Sequence, residues 1–234
     1  MQWLGGGLGV QVVAGLLVVL AAVSPLDTLV HDLTFRHVVS HELRLLANGV
    51  TLLGTTWAGV GLLGTLAAVG YHAADGALWR ASLGGVAGVA LGGLATQVVK
   101  HAACRARPRL VDGWGVGAAG PPPVGETYGF FHWPCVSRWR YHSFTSGHAA
   151  TAFATAAALV AIAPGRRRAW LAVAAGVGAS RVLLNAHFVS DVAGGALIGW
   201  WAGRAGLALA ARLRGWLPPV VGAGEPPVAG RPAG

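Results

Sequence analysis

Residues 81–108 read ASLGGVAGVALGGLATQVVKHAACRARP. The run to Val99 contains no charged residue. A helix that crosses a bilayer needs about 20 mostly apolar residues, and Ala81–Val99 meets that length. Its Gly and Ala content suits close approach to a neighbouring helix within lipid. The character then changes abruptly. Lys100, Arg105 and Arg107 follow within eight residues, and Pro108 closes the stretch. The segment therefore predicts a spanning helix with a strongly basic end.

Five other stretches qualify as spans: Leu4–Val23, Val50–Tyr71, Gly147–Ala163, Trp170–Leu184 and Val192–Ala211. The last resembles Ala81–Val99 in its Gly and Ala content, so these two are expected to pack together. Leu4–Val23 has no positive residue before its apolar run and no small-x-small cleavage signal, so it reads as a retained span rather than a signal peptide. The expected fold class is all-α: a polytopic membrane protein with about six transmembrane helices in a bundle and one outward-facing site.

Composition agrees. The chain has 234 residues, of which 54% are hydrophobic and 11% charged. Soluble domains carry roughly 25% charged residues. That excludes an ordinary soluble domain and intrinsic disorder. The 37 glycines follow no three-residue period, which excludes collagen. Lys and Arg total 17 against 8 Asp and Glu, a net charge of +9. Such a balance suits an anionic partner: nucleic acid, lipid headgroups or a phosphorylated substrate. The preference for Arg over Lys fits bidentate phosphate recognition, although a GC-rich genome accounts equally for surface arginines.

The domain organisation expected is a single unit over residues 1–217 with a disordered Pro/Gly-rich tail at 218–234. Within it, 25–48 reads as an amphipathic interfacial segment and 100–143 as the longest extracytoplasmic loop. His31, His37 and His41 in the first of these read as interfacial rather than catalytic. Tyr128, Phe130, Phe131, Trp133, Trp139 and Tyr141 make the loop aromatic, as an interfacial belt or a lid. Arg80, Arg166–Arg168, Arg212 and Arg214 fall on the opposite side, which the positive-inside rule makes cytoplasmic. The outward side is basic too, and the orientation holds if several of those cations bind substrate.

Three clusters carry chemistry. Lys100 and Arg107 are seven apart, near two helical turns, so a continuing helix would put them on one face, with Pro108 then stopping the helix or turning the chain. Alone, this is equally a headgroup anchor. In Ser143-Phe-Thr-Ser-Gly-His148, Ser146 is placed as an N-cap and Gly147 leaves the backbone open. A helix N-terminus there would bind an anion beside His148. In Ser180-Arg-Val-Leu-Leu-Asn-Ala-His-Phe-Val-Ser-Asp191, His187 and Asp191 are four apart and would be neighbours on a helix. Ser180 would share their face, and Arg181 would need its long side chain or a helix break to join them. An Asp on one ring nitrogen leaves the other free as base or nucleophile. Counting spans, all three clusters emerge on one face of the membrane.

Those clusters, in order and spacing, resemble the type 2 phosphatidic acid phosphatase superfamily, whose signature is K-x6-RP, PSGH and SR-x5-H-x3-D. The first and third are complete here; the second has Thr145 in place of Pro. The likeness covers roughly residues 81–205. It implies a membrane lipid phosphatase that hydrolyses a phosphomonoester or diphosphate on a lipid headgroup, with phosphatidic acid, phosphatidylglycerophosphate, undecaprenyl diphosphate or a lipid A phosphate as substrate. It implies that His187 is the nucleophile, Asp191 orients it, and His148 is the general acid and base. Lys100, Arg107, Ser146, Gly147 and Arg181 would bind the phosphate. Three cations would take the part of a metal, so no metal and no cofactor is expected, and no carboxylate cluster suits Mg²⁺. Expected partners are a lipid phosphate and membrane lipids, with no nucleic acid. The expected location is a bacterial inner membrane, with the site facing the periplasm or exterior. Lipid phosphotransfer at the same site, vanadate-dependent haloperoxidation or a non-catalytic scaffold are the rival readings. Arg105 and Arg109 are read as supporting the phosphate site from behind its direct contacts, or as contacting headgroups. Cys104 and Cys135 either form a disulfide or remain thiols.

Overall fold

A computed structural model describes residues 15, 17, 18, 26–37, 39–111, 129–131, 133–136 and 138–213. The described residues are helical, with no strand among them: α1 (Leu26–His37), α2 (His41–Leu52), α3 (Thr56–His72), α4 (Gly76–Ala103), α5 (Gly147–Ile162), α6 (Arg167–Leu183) and α7 (Val189–Arg212). A single helical turn, Pro108–Val111, and a 3₁₀ turn, Trp139–Tyr141, lie between α4 and α5. The Leu4–Val23 span, the 218–234 tail and Tyr128 fall almost wholly or wholly outside the described residues.

Polar caps set the helix limits. Ser40 Oγ accepts the Leu43 N–H at 3.2 Å, and Thr55 Oγ1 accepts the Ala58 N–H at 3.2 Å. Asp75 Oδ1 accepts both the Ala77 and Leu78 N–H groups. Each satisfies donors that the first helical turn leaves open. The Thr55 cap corrects the sequence reading of Val50–Tyr71 as one span. That stretch is broken at Leu53–Thr55, and α2 and α3 meet at a 47° bend.

Among the described residues one helix, α4, is by itself long and apolar enough to cross a membrane, and α2 with α3 passes as a bent pair. Of the other expected spans, the three within the described residues, Gly147–Ala163, Trp170–Leu184 and Val192–Ala211, do not meet the same criterion. At 16 and 17 residues, α5 and α6 fall short of about 20. Within α7, Asp191, Arg204 and Arg212 and a high Gly content lower the hydropathy.

The expected pairing of the Gly-rich helices is present: α4 and α7 form the most extensive helix pair. A Cβ at Gly88 would stand 2.6 Å from Gly203 Cα, and one at Gly84 would stand 2.9 Å from Leu207 Cα. Only a bare Cα permits that approach. On its other side α7 packs on α5, whose buried face is almost all alanine: Ala149, Ala150, Ala154, Ala157 and Ala158.

Helix α4 does not continue to Arg107, as the spacing predicted. It ends at Ala103, and Cys104 adopts a left-handed conformation (φ 41°). Pro108 therefore does not stop the helix; it opens the short turn that follows, at a position where its missing N–H costs nothing. The 25–48 segment also departs from a purely interfacial role. It forms α1 and most of α2, and α1 packs on α6 and α7 with Asp27 and His31 buried.

Candidate active site

The three clusters meet at one end of the bundle. Ser146 caps α5: its Oγ faces the Ala149 N–H at 3.4 Å, and its own N–H donates to the Asp191 carbonyl at 2.9 Å. That bond fastens the second cluster to the third. It requires α7 to lie against the start of α5, and a Cβ at Gly195 would collide with the Ser146 carbonyl. A Cβ at Gly147 would stand 3.6 Å from Lys100 Nζ, so the Lys100 ammonium lies over the open first turn of α5. His148, in that turn, lies within electrostatic reach of Arg181, Lys100 and Arg107.

The third cluster is not one helix. Helix α6 ends at Leu183, Asn185 takes a left-handed φ of 54°, and α7 begins at Val189. His187 therefore sits in the turn between helices. Ser180 does not share its face; its hydroxyl donates back to the Val177 carbonyl at 2.7 Å. Asp191 stands in the first turn of α7 and still reaches His187, with Nδ1 to Oδ2 at 3.5 Å. The same Oδ2 accepts the Ser143 hydroxyl at 2.5 Å and the Phe188 N–H at 2.9 Å. Burial holds the His187 imidazole well below its ordinary pKa, against the opposing pull of Asp191. Its ring is accordingly neutral at physiological pH.

The cations differ in how they are held. Arg181, in the last turn of α6, donates to Thr51 Oγ1 of α2 at 2.7 Å. Arg107 spends donors on three backbone carbonyls: Trp139 at 3.2 Å, Ala186 at 3.3 Å and His142 at 3.2 Å. It thus ties the loop to the turn that carries His187. Burial, then the neighbouring Arg109 and Arg181, lower its pKa to about 10. Arg109 and Arg140 stack near the Trp139 ring, at 4.8 and 5.8 Å. A disulfide joins Cys104 to Cys135 and fixes the start of the Arg105–Arg107 strand of chain.

For Arg105 the structure removes the headgroup alternative. The side chain contacts neither headgroups nor an open phosphate site; it is 1% exposed. Its guanidinium donates to Asp191 Oδ1 at 2.7 Å, Ser190 Oγ at 2.8 Å and Asp27 Oδ2 at 2.8 Å. A buried cation is stable only when paired, and two buried carboxylates supply the pairing. His31, expected at the interface, is buried edge-on to Phe188 at 5.9 Å; His41 is exposed. The sequence reading passed over Asp27, Ser143, Ser190 and Thr51. The one available signal was an acidic residue, Asp27, four before His31 at the start of a helix.

The sequence profile of the PAP2 superfamily matches residues 82–214. The chain belongs to the PAP2 superfamily. The match spans α4 to α7 and contains all three clusters. Two curated relatives are lipid A 1-phosphatases from Rhizobium etli and Rhizobium johnstonii, each 33% identical over 113 residues. Those alignments cover 48% of this chain and 43% and 41% of the relatives, less than half of their length. A solved structure, the first transmembrane PAP2 type phosphatidylglycerolphosphate phosphatase from Bacillus subtilis, matches with a TM-score of 0.57. It covers 89% of this chain and 97% of that one at 22% identity, so the likeness is one of fold. Family, fold and hydropathy support an integral membrane protein. The PAP2 motif variant Thr145 is buried at the end of a cis Phe144–Thr145 peptide, directly before the Ser146 cap. Among the described residues no group of three or more His, Cys, Asp or Glu side chains has a metal-binding arrangement.

Proposed function

We propose that the chain is a membrane lipid phosphatase that hydrolyses a phosphomonoester or diphosphate at a lipid headgroup through a phosphohistidine. One observation carries the reading: His187, backed by Asp191, lies within electrostatic reach of Arg107 and Lys100, and Lys100 stands over the first turn of α5, where His148 faces Arg181 as well. Phosphoryl transfer asks of a protein mainly positioning and stabilisation of the equatorial oxygens. Arginine, lysine and helix N–H groups supply both.

With Nδ1 facing Asp191, Nε2 of His187 is the nitrogen that attacks phosphorus. A P–N bond forms as the P–O bond to the lipid breaks, and His148 gives the leaving oxygen its proton. Water then attacks the phosphohistidine. His148 takes the water's proton, the P–N bond breaks, and phosphate leaves with His187 restored. Lys100, Arg107, Arg181, Ser146 and Gly147 hold the phosphoryl oxygens. No metal is invoked in either step.

The Cys104–Cys135 disulfide supports an outward-facing site, because disulfides persist in oxidising compartments such as the bacterial periplasm. The test is phosphate release by the detergent-purified chain from phosphatidic acid, phosphatidylglycerophosphate, undecaprenyl diphosphate and a lipid A phosphate, with EDTA present. Release that survives EDTA and disappears in His187→Ala is the expected result. Its absence from every lipid, with the protein folded, overturns the reading in favour of phosphotransfer or a binding role.

A further inference from the structure

The buried cluster behind Asp191 holds three full charges. Asp27 comes from α1, Arg105 from the segment after α4, and Asp191 from α7; they are 2%, 1% and 0% exposed. The Arg105 guanidinium bridges the two carboxylates, at 2.8 Å to Asp27 and 2.7 Å to Asp191. It is clamped between the Phe188 and Phe130 rings, at 4.2 and 4.8 Å. Ser190 bonds Asp27 twice, through its N–H at 3.0 Å and through its hydroxyl. Asp27 lies outside the span matched by the family profile, and Arg105 occupies an unspecified position of the first motif.

The charge count matters for His187. Asp191 with Arg105 alone would be a neutral pair, and its carboxylate would have little field left to offer the imidazole. Asp27 returns one negative charge, so the cluster as a whole stands at −1 beside His187. Positive charge develops on that imidazole as its nitrogen bonds phosphorus, and fixed charge aimed at that point is the strongest form of electrostatic catalysis. Arg105 also fixes the Asp191 oxygen that does not face His187, which leaves the other oxygen directed at Nδ1.

We propose that Asp27 and Arg105 are positioning residues of the active site: Arg105 orients Asp191, and Asp27 supplies the negative charge that keeps Asp191 effective toward His187. The proposal rests on the phosphohistidine reading above. It gives α1, outside the matched family region, a part in the reaction through Arg105 and Asp191.

The experiment compares full-length wild type, Asp27→Asn, Arg105→Gln and the double variant Asp27→Asn/Arg105→Gln. Each is assayed on whichever panel lipid the wild type cleaves fastest, with thermal melts alongside. Asp27→Asn is expected to lower kcat at least about tenfold with KM within about threefold, because the effect is on reaction and not on binding. The double variant, which again leaves a net −1 through Asp191, is expected to regain at least about threefold over Asp27→Asn. For a purely structural pair any recovery of activity would track recovery of the thermal midpoint, whereas here kcat recovers independently of it. Wild-type kcat in Asp27→Asn, an equal change in KM, or a double variant no better than the single overturns the proposal. Should Asp27→Asn fail to fold, the double variant carries the test, since it removes the buried guanidinium together with the carboxylate that was neutralised. A folded double variant with kcat within about 30-fold of wild type supports the proposal, and a folded inactive one overturns it. A wild type that releases no phosphate from any lipid overturns the underlying reading and this proposal with it.

Discussion

Nδ1 of His187 lies 3.5 Å from Oδ2 of Asp191, across the junction between a turn and the first turn of α7. That separation is longer than a formed hydrogen bond of 2.7–3.2 Å. Contacts of this kind are often loose before substrate binds and tighten in the reacting complex. In the proposed reaction Asp191 stabilises the imidazole only as it gains charge, so its removal should fall on kcat. Asp191→Asn is expected to lower kcat by about three to four orders of magnitude, the scale of the corresponding change in a Ser-His-Asp triad. The KM should change little. Steady-state kinetics of the folded variant on the fastest panel lipid decide it; a loss confined to KM would assign Asp191 to binding.

Arg107 should tolerate lysine badly. Its fork reaches the carbonyls of Trp139, Ala186 and His142 while retaining donors for a phosphate. An ammonium cannot make that set of contacts. Each charge-assisted bond is worth about 1.5–3 kcal/mol, so Arg107→Lys should lower kcat/KM by about 10²-fold. Lys100→Arg, whose ammonium lies over the first turn of α5, provides the contrast within the same assay. A kcat/KM for Arg107→Lys within threefold of wild type would show that only its charge matters.

Much of this arrangement was legible in the sequence, for identifiable reasons. Ser146 read as an N-cap because capping is a local matter of one side chain and the N–H groups beside it. The pairing of α4 with α7 read from Gly and Ala content because close packing in lipid selects small residues. The helix ends were not legible. Cys104 and Asn185 adopt left-handed conformations that nothing in their residue type demands, and each moved a motif residue, Arg107 or His187, off the expected helix. Nor was the Asp27–Arg105 pair legible. Its partners are 78 residues apart, and Arg105 carries the same charge as its neighbour Arg107. Only tertiary packing distinguishes the buried guanidinium from the one that faces the site.

The helix seam predicts a stability defect without a direct effect on chemistry. A side chain at Gly203 would press on the Ala154 carbonyl at 2.8 Å and on Ala157 Cβ, and the opposed Gly88 is as tight. Overpacking of this kind costs about 1–3 kcal/mol. Gly203→Val should lower the thermal midpoint in detergent, whereas Gly93→Val, where a Cβ meets nothing within 4 Å, should not. Equal midpoints for the two would show that α5 and α7 separate readily.

The disulfide should matter to both stability and activity. Cys104 and Cys135 are 31 residues apart in sequence. Closing a loop of that size stabilises by about 3–4 kcal/mol in the chain-entropy account. Cys104 also immediately precedes Arg105 and Arg107. Reduction with dithiothreitol, or Cys104→Ser with Cys135→Ser, should lower the thermal midpoint and raise KM as the Arg107 segment loosens. Melts and kinetics unchanged by reduction would mean that the Arg107 carbonyl contacts hold the segment alone.

The pH dependence of stability has a definite sign. Burial lowers the pKa of His187 and also that of His142, which stands against His101 at a ring distance of 4.5 Å. Unfolded, both imidazoles titrate near 6.5. Below that value the unfolded chain binds protons that the folded site refuses, so stability rises with pH through the acidic range and is fully present above about 6.5. The thermal midpoint should therefore fall as pH drops from 7 toward 5, and His187→Asn, which cannot be protonated, should flatten that fall. The variant and the wild type need only be melted side by side at pH 5, 6 and 7. Parallel curves would show that the acid sensitivity comes from carboxylates such as Asp191, whose ion pair with Arg105 is lost on protonation, rather than from the buried imidazole.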